Sequence, residues 1–339
     1  MKLIPTREAV GHVLCHDMTQ IIPGTYKDAR FRKGHVVREE DIPVLLSMGK
    51  EHLYVWEMTP GMLHEDDAAE RLRALCQNQY MEAGPVKEGK IELTAVRDGL
   101  FLVDSQRLNA VNALADVMIA TRHGGTAVRR GDKLAGTRVI PLVIQEEQLR
   151  RAEAAAGDRP LLELLPWKLK TAAIVTTGSE VAAGLIRDAF TPVVERKLAE
   201  FGIETVERRM PGDDMEAVKD AILEVKAKGP DLILCTGGMS VDPDDNTPGA
   251  IKRAGARIVT YGAPVLPGAM FLLGYFDDGT PVAGLPGCVM YAKRTIFDLV
   301  LPKLAAGVPI AREDLTALGE GGLCLGCEVC AYPNCGFGK

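Results

Sequence analysis

The sequence has few aromatic residues, no long apolar run and no excess of positive charge. Only 5% of its 339 residues are aromatic although 47% are hydrophobic, so its cores must be filled mainly by aliphatic side chains. No uninterrupted apolar run approaches the ~18–20 residues of a membrane-spanning helix. The net charge of −6 argues against a general nucleic-acid-binding protein, which needs a basic face to displace counterions from phosphate.

The start of the sequence and its cysteines bear on the compartment. MKLIPTREAV lacks the apolar stretch of a signal peptide, so we expect a cytoplasmic protein. A disulfide framework would be spread through the fold, but half of the eight cysteines lie within the last sixteen residues. This distribution predicts reduced thiols and one terminal cluster of metal ligands.

The length predicts more than one domain, at roughly 100–200 residues each. We expect a β-rich N-terminal domain at 1–60, an α+β domain at 61–165, an α/β domain at 166–310 and a Cys-rich metal-binding tail at 311–339. Within the second domain, the patterns predict helices over 64–83 and 108–121. The charged stretch 146–160 predicts a solvated linker helix.

Strands and helices alternate from Trp167 onward. Apolar strands over 170–175 and 231–236 are separated by amphipathic helical segments, and a further helix is predicted over 289–300. Alternation of this kind is typical of βαβ units. The sequence therefore predicts an α/β fold with a parallel sheet and helices on both faces, preceded by smaller β-rich α+β domains.

Four polar, glycine-containing loops follow strands of this predicted sheet: TTGSE (176–180), PGDD (211–214), CTGGMSVDPDDNTPGAI (235–251) and LPGC (285–288). Ligands of such sheets bind outside the carboxyl ends of the strands. Gly237 and Gly238 would let the backbone approach a ligand, and Asp245 could hold Mg²⁺ together with ligand phosphates. The alternative for the third loop is an ordinary Gly-Gly turn before a capped helix. Together the loops suit a phosphate-bearing ligand with a metal ion.

The order TTGSE, GDD, TGGMSV followed by DNTPGA, and GLPG resembles the molybdopterin-binding domain over roughly residues 168–305. Molybdopterin adenylyltransferases and molybdopterin molybdenumtransferases share this domain. The preceding regions resemble, more loosely, the N-terminal domains of the molybdenumtransferases. The resemblance implies a homodimeric transferase of molybdenum cofactor biosynthesis. Such an enzyme uses Mg²⁺, transfers molybdate to adenylylated molybdopterin and releases AMP.

The resemblance also implies site residues and partners. The implied catalytic carboxylates are Glu180, Asp214 and Asp245. The candidate cofactor-binding residues are Thr177, Gly178, Ser179, Asp213, Gly237, Gly238, Ser240, Thr247, Pro286 and Gly287. The expected partners are molybdopterin or its adenylylated form, molybdate, a second copy of the chain and a recipient molybdoenzyme, with no nucleic acid and no membrane.

Two departures from the family keep other functions open. The loop VLPGAM has Leu266 and Ala269 where the family carries lysines suited to holding molybdate, and the family's Ser-x-Met-Asp-Gly-Tyr-Ala signature is absent. One alternative is a non-catalytic molybdopterin carrier or sensor. Another is a nucleotide-processing enzyme built on the same domain, as in relatives of nicotinamide-nucleotide amidase.

The last segment has the spacing C-x2-C-x2-C-x4-C, formed by Cys324, Cys327, Cys330 and Cys335. Four thiolates can bind either Zn²⁺ or a [4Fe–4S] cluster. Consecutive x2 steps with a proline near the last cysteine favour iron–sulfur. Because the tail has few apolar residues, we expect it to be disordered without metal. Its function would be a redox or docking module for an iron–sulfur molybdoenzyme.

Overall fold

The computed structural model describes residues 2–55, 60–178, 188–240, 242 and 245–339. The chain divides into two compact units. The first contains Met1–Val96, Val103–Arg122 and Gly131–Glu163, and the second contains Arg97–Leu102, His123–Arg130 and Leu164–Lys339. Within the described ranges, no helix is long and apolar enough to cross a membrane.

The elements are numbered here in chain order. The strands are β1 (Lys2–Pro5), β2 (Met18–Ile22), β3 (Tyr26–Phe31), β4 (His52–Val55), β5 (Met62–His64), β6 (Met81–Ala83), β7 (Lys90–Ala95), β8 (Gly99–Val103), β9 (Val117–Thr121), β10 (Thr126–Val128), β11 (Lys133–Val139), β12 (Val143–Gln145), β13 (Leu162–Leu165), β14 (Thr171–Thr176), β15 (Glu204–Arg209), β16 (Leu232–Thr236), β17 (Arg257–Tyr261), β18 (Leu272–Tyr275) and β19 (Pro281–Leu285). The helices are α1 (Asp41–Ser47), α2 (Glu65–Cys76), α3 (Ser105–Asn112), α4 (Glu146–Ala156), α5 (Thr191–Ala199), α6 (Met215–Lys226), α7 (Thr247–Arg253), α8 (Ile296–Ala305) and α9 (Arg312–Thr316).

The first unit is built on antiparallel pairing. Its main sheet has the strand order β6-β7-β11-β9, and β1–β4, β2–β3 and β5–β12 form separate antiparallel pairs. Two helix predictions were too long here. The helix predicted over 64–83 ends at Cys76, and the one predicted over 108–121 ends at Asn112, each followed by a strand of the sheet.

The charged segment 146–160 is not a solvated linker. Its helix α4 buries Leu149, Ala152 and Ala156, each no more than 1% exposed. Glu153, beside this buried face, accepts a hydrogen bond from the Nε of Arg71 in α2 at 2.7 Å. The segment was misjudged because its apolar side chains are mostly alanine, which contributes little to an amphipathic pattern.

The second unit is organised around a six-stranded sheet of order β15-β14-β16-β19-β18-β17. The first four strands in this order are parallel, as the alternating pattern predicts. β18 is antiparallel to both of its neighbours, so the prediction of an all-parallel sheet was wrong for this edge. Because two reversals cancel, β17 runs in the same direction as the four parallel strands.

The central strands are buried on both faces, and helices cover each face. Ile174 of β14 packs on the side of α5 and α8, whereas Val175 packs with α6 and α7 on the other side. This alternation follows from the two-residue period of a strand. It confirms the predicted α/β arrangement with helices on both faces.

The segment after β19 differs from its prediction. Instead of a helix over 289–300, a 3₁₀ turn covers Gly287–Met290 and α8 begins at Ile296. Thr295 caps α8, since its hydroxyl accepts from the N–H of Phe297 at 3.2 Å, while the carboxylate of Asp298 accepts from the N–H of Thr295 at 2.8 Å. This reciprocal capping box fixes the start of the helix.

Candidate functional site

The parallel direction of β14, β15, β16, β19 and β17 brings the loops that follow these strands to one edge of the sheet. We call it the carboxyl edge. Its loops include TTG (176–178), PGDD, the loop 237–246, LPGC and VLPGAM. The predicted site residues Ser179 and Glu180 lie outside the described residues.

Two predicted binding residues, Thr177 and Thr247, meet at this edge. The N–H of Thr177 donates to the carbonyl of Thr236 at 2.8 Å, and its Oγ1 lies 3.4 Å from Oγ1 of Thr247. The Thr247 hydroxyl donates to the carbonyl of Gly237 at 2.8 Å. Both threonines are buried. These hydroxyls therefore join two loops of the edge, and α7 begins at Thr247 as predicted.

The backbone conformation of this turn requires glycine at Gly237 and Gly238, in addition to the binding role predicted for them. Gly237 has φ +82°, and a Cβ there would lie 2.4 Å from the carbonyl oxygen of Thr177. Gly238 has φ +53°, and its Cβ would lie 3.0 Å from Oγ1 of Thr247. A left-handed backbone and close approach both require glycine. The tight Gly-Gly turn is thus part of how the two loops pack.

Asp213 and Asp214 of the PGDD loop make different contacts. The Asp214 carboxylate caps α6 by accepting from the N–H of Ala217 at 2.9 Å. The backbone carbonyl of Asp213 accepts from the side chain of Asn246 at 2.9 Å. Asn246 was not singled out from the sequence, although its place between Asp245 and Thr247 in DNTPGA was a signal for it. The contact holds the PGDD loop against the loop 237–246.

The side chain of Asp245 has a buried carboxylate oxygen. Its N–H donates to the carbonyl of Asp242 at 3.0 Å, and its Oδ2 is buried without a hydrogen-bond donor among the residues that the structure describes. Leaving a polar atom buried and unpaired costs about 1–3 kcal/mol, and more for a charged one. An oxygen of this kind fits a bound cation or a ligand donor.

Tyr261, at the end of β17, is a neighbour that the sequence did not reveal. Its hydroxyl donates to the backbone carbonyls of Met239 at 3.1 Å and Ser240 at 3.2 Å. Burial, followed by the negative charge of Asp245, raises the pKa of the Tyr261 hydroxyl. The phenol thus fixes the predicted residue Ser240 through its backbone and lies within the electrostatic reach of Asp245.

Pro286 and Gly287 follow β19, which pairs with β16 up to Thr236–Leu285. The helix predicted to follow them is replaced at this point by a 3₁₀ turn of four residues. A Cβ on Gly287 would have no heavy atom within 4 Å. This loop contributes open space beside the loop 237–246.

The VLPGAM loop is held by the C-terminal tail. The N–H of Leu266 donates to the carbonyl of Gly322 at 2.8 Å, and its carbonyl accepts from the N–H of Cys324 at 2.8 Å. Near the end of the tail, Phe337 is only 5% exposed and belongs to the core of the second unit. Protein contacts thus define the path of the tail, and the expectation that the tail is disordered without metal stays a prediction.

Comparison with known proteins gives a family for part of the second unit. Residues 173–306 match the family described as "Probable molybdopterin binding domain". Residues 173–306 therefore belong to this domain family. The match covers most of the second unit and includes all four loops named from the sequence. Residues 3–57 match a family described only as a domain of unknown function.

Relatives of the molybdopterin-binding domain are distant. A molybdopterin molybdenumtransferase of Synechococcus elongatus is 24% identical over 202 residues, which cover 57% of this chain and 47% of the relative. A CinA-like protein of Pseudothermotoga lettingae is 34% identical over 86 residues, covering 25% and 21%. The chain thus spans less than half the length of these relatives. The crystal structure of the molybdopterin biosynthesis enzyme MoaB from Thermus thermophilus aligns over 42% of this chain and 99% of its own, with 24% identity and a TM-score of 0.36.

Proposed function

We propose that the second unit binds molybdopterin or adenylylated molybdopterin at the carboxyl edge. In this proposal the chain acts in molybdenum cofactor biosynthesis as a molybdenumtransferase-like enzyme. The observation that carries it is the buried Oδ2 of Asp245, which has no donor among the described residues. A carboxylate oxygen left unpaired at an edge of polar loops suits Mg²⁺, which prefers one or two carboxylates plus ligand phosphates.

The proposed roles follow from the contacts. Asp245 would hold Mg²⁺ together with Glu180 and Asp213, while Asp214 could join only through the oxygen that does not cap α6. Bound Mg²⁺ would offset the charge of the ligand phosphates. The other proposed ligand contacts are Thr177, Gly178, Ser179, Gly237, Gly238, Ser240, Thr247, Pro286 and Gly287. Molybdate would be the second substrate and AMP the product released.

Calorimetry on the full chain tests the binding step. Titration with molybdopterin and with adenylylated molybdopterin, each with and without Mg²⁺, should show binding that the cation strengthens. Asp245→Asn should weaken the Mg²⁺-dependent binding at least about tenfold, which is about 1.4 kcal/mol. Asp242→Asn is the matched control, because its exposed side chain lies in the same loop. Absence of binding of either pterin would end the proposal.

One observation favours a non-catalytic carrier instead. The VLPGAM loop lacks the family's lysines, and Leu266 is 56% exposed with both its backbone groups bound by the tail. If adenylylated molybdopterin binds but no AMP is released when molybdate is added, the carrier function replaces the transferase. Parallel titrations with AMP and pyridine nucleotides test the nucleotide-processing alternative, which the CinA-like relatives bring into consideration.

A further inference from the structure

The four tail cysteines line one cavity. Its volume is about 480 Å³, and its walls include Cys324, Cys327, Cys330 and Cys335. Cys327 and Cys330 are exposed at its rim, whereas Cys324 and Cys335 pack partly against the core. The fold thus places the four cysteines, which their spacing in the sequence predicts as metal ligands, around one cavity.

The cavity is supported by ordered parts of the second unit. Tyr332, between the third and fourth cysteines, donates its hydroxyl to the backbone carbonyl of Asp298 in α8 at 2.8 Å. Its ring lies against that of Phe337, with centroids 6.3 Å apart. The N–H of Gly338 donates to the carbonyl of Gly321 at 2.9 Å, which closes the tail on itself. These contacts hold both ends of the cysteine segment.

Two cations line the same cavity. Lys293 donates to the backbone carbonyls of Glu328 at 2.6 Å and Cys327 at 3.4 Å, both of which are neutral acceptors. The Arg294 guanidinium lies 4.9 Å from the ring centroid of Tyr332 and pairs with Asp298 at 2.8 Å. Four thiolates around a metal centre concentrate negative charge. Cations at the wall would stabilise that charge in a partly desolvated space.

The size of the space accommodates a group larger than a single ion. A structural zinc site is closed, with four sulfurs at ~2.3 Å from one centre. In the part of the chain that the structure describes, no three His, Cys, Asp or Glu side chains come close enough together to hold one metal ion. A cavity of about 480 Å³ instead has the size of a site for a polyatomic group. Apolar walls, among them Leu323, Ala331 and Phe337, would protect such a group from water.

We propose that Cys324, Cys327, Cys330 and Cys335 bind a [4Fe–4S] cluster in this cavity, with Lys293 and Arg294 offsetting its charge. The site lies between the tail, the VLPGAM loop through Pro267, and the segment 292–294 that follows the LPGC loop. It therefore lies at the carboxyl edge, beside the loops proposed to bind the pterin. The cluster does not depend on that proposal, because its ligands and walls are separate residues.

Anaerobic purification of the full chain, followed by iron, zinc and acid-labile sulfide analysis and visible spectroscopy, tests the cluster. About four irons and four sulfides per chain are expected, with a broad visible band that dithionite bleaches. Reconstitution of the purified chain with ferrous iron and sulfide should give the same composition. One zinc per chain without colour, or neither metal after reconstitution, would overturn the proposal.

Cysteine variants assign the ligands. Cys327→Ser and Cys330→Ser should each lower the iron content at least about fourfold, and because both side chains are exposed, neither change should unfold the second unit. Cys288→Ser is the matched control, a partly exposed thiol outside the cavity wall that should leave iron unchanged. Tryptophan fluorescence of each variant in a Trp56→Phe background, which leaves Trp167, checks folding. Iron retained by both tail variants in folded protein would refute the assigned ligands.

Discussion

The buried carboxylate of Asp298 makes several contacts in the second unit, and we predict that its replacement lowers the free energy of unfolding. The side chain is 5% exposed and pairs with Nζ of Lys197 in α5 at 2.5 Å and with Arg294 at 2.8 Å. It also accepts from the N–H of Thr295 as part of the capping box of α8. Asp298→Ala removes all three contacts at once.

The expected loss comes mainly from the partner left behind. Lys197 is only 7% exposed, so Asp298→Ala leaves an uncompensated buried ammonium, which costs about 3–5 kcal/mol. Loss of the cap adds to this by up to about 1 kcal/mol. Lys197→Met should cost clearly less, because Asp298 keeps Arg294 and Thr295 as partners. The two sides of one ion pair should therefore differ.

Urea unfolding followed by Trp167 fluorescence measures this difference. A Trp56→Phe background leaves Trp167, which packs against Phe201 at 4.9 Å between ring centroids, as the remaining tryptophan. The control is Asp278→Ala, which breaks an exposed pair with Lys226 and should cost no more than about 1 kcal/mol. Equal losses for Asp298→Ala and Asp278→Ala, or for the two sides of the buried pair, would refute the reasoning.

Three further predictions concern a glycine, a buried acid and the tail. Gly237→Ala should destabilise the second unit by more than Gly255→Ala, because both have positive φ but only the first Cβ meets the carbonyl of Thr177; thermal unfolding compares them. Burial, followed by the charge of Asp66, raises the pKa of Glu65 from 4.5 to about 7, so stability falls as pH rises between these values. Glu65→Gln should therefore be near neutral at pH 4 and stabilising by up to about 3 kcal/mol at pH 8, measured by urea unfolding at both pH values. Phe337→Ala should cost about 3–5 kcal/mol if the tail is part of the core, and should speed proteolysis after Gly319; an unchanged cleavage rate would contradict that packing.

The sheet of the second unit was predictable where the signal was local. β14 and β16 are continuous apolar runs bounded by polar turns, which is the pattern of strands buried on both faces. The antiparallel β18 was not predictable, since its direction depends on pairing with β19 across a turn of ordinary length. Likewise β9 follows α3 without a break in apolar pattern, and only its partner β11 makes it a strand.

Local sequence signals likewise identify only part of the candidate site. Asp245, Thr247 and the glycine pair could be found because they lie in one contiguous motif. Tyr261 could not, because it reaches Met239 and Ser240 only through the turn-back of β17 and β18. When a contact joins residues from distant segments, their spacing along the sequence does not predict it.

The tail and the VLPGAM loop are joined at the carboxyl edge. Both backbone groups of Leu266 pair with the tail, at Gly322 and Cys324. β17, which leads into that loop, lies three strands from β16, or about 14 Å at the ~4.8 Å spacing of neighbouring strands. A lysine at 266 would add a flexible charge beside the cysteine cavity, where Lys293 and Arg294 already supply cations. The exposed aliphatic side chain of Leu266 is thus compatible with the path of the tail, and the cations beside the cavity, Lys293 and Arg294, come from the segment after β19.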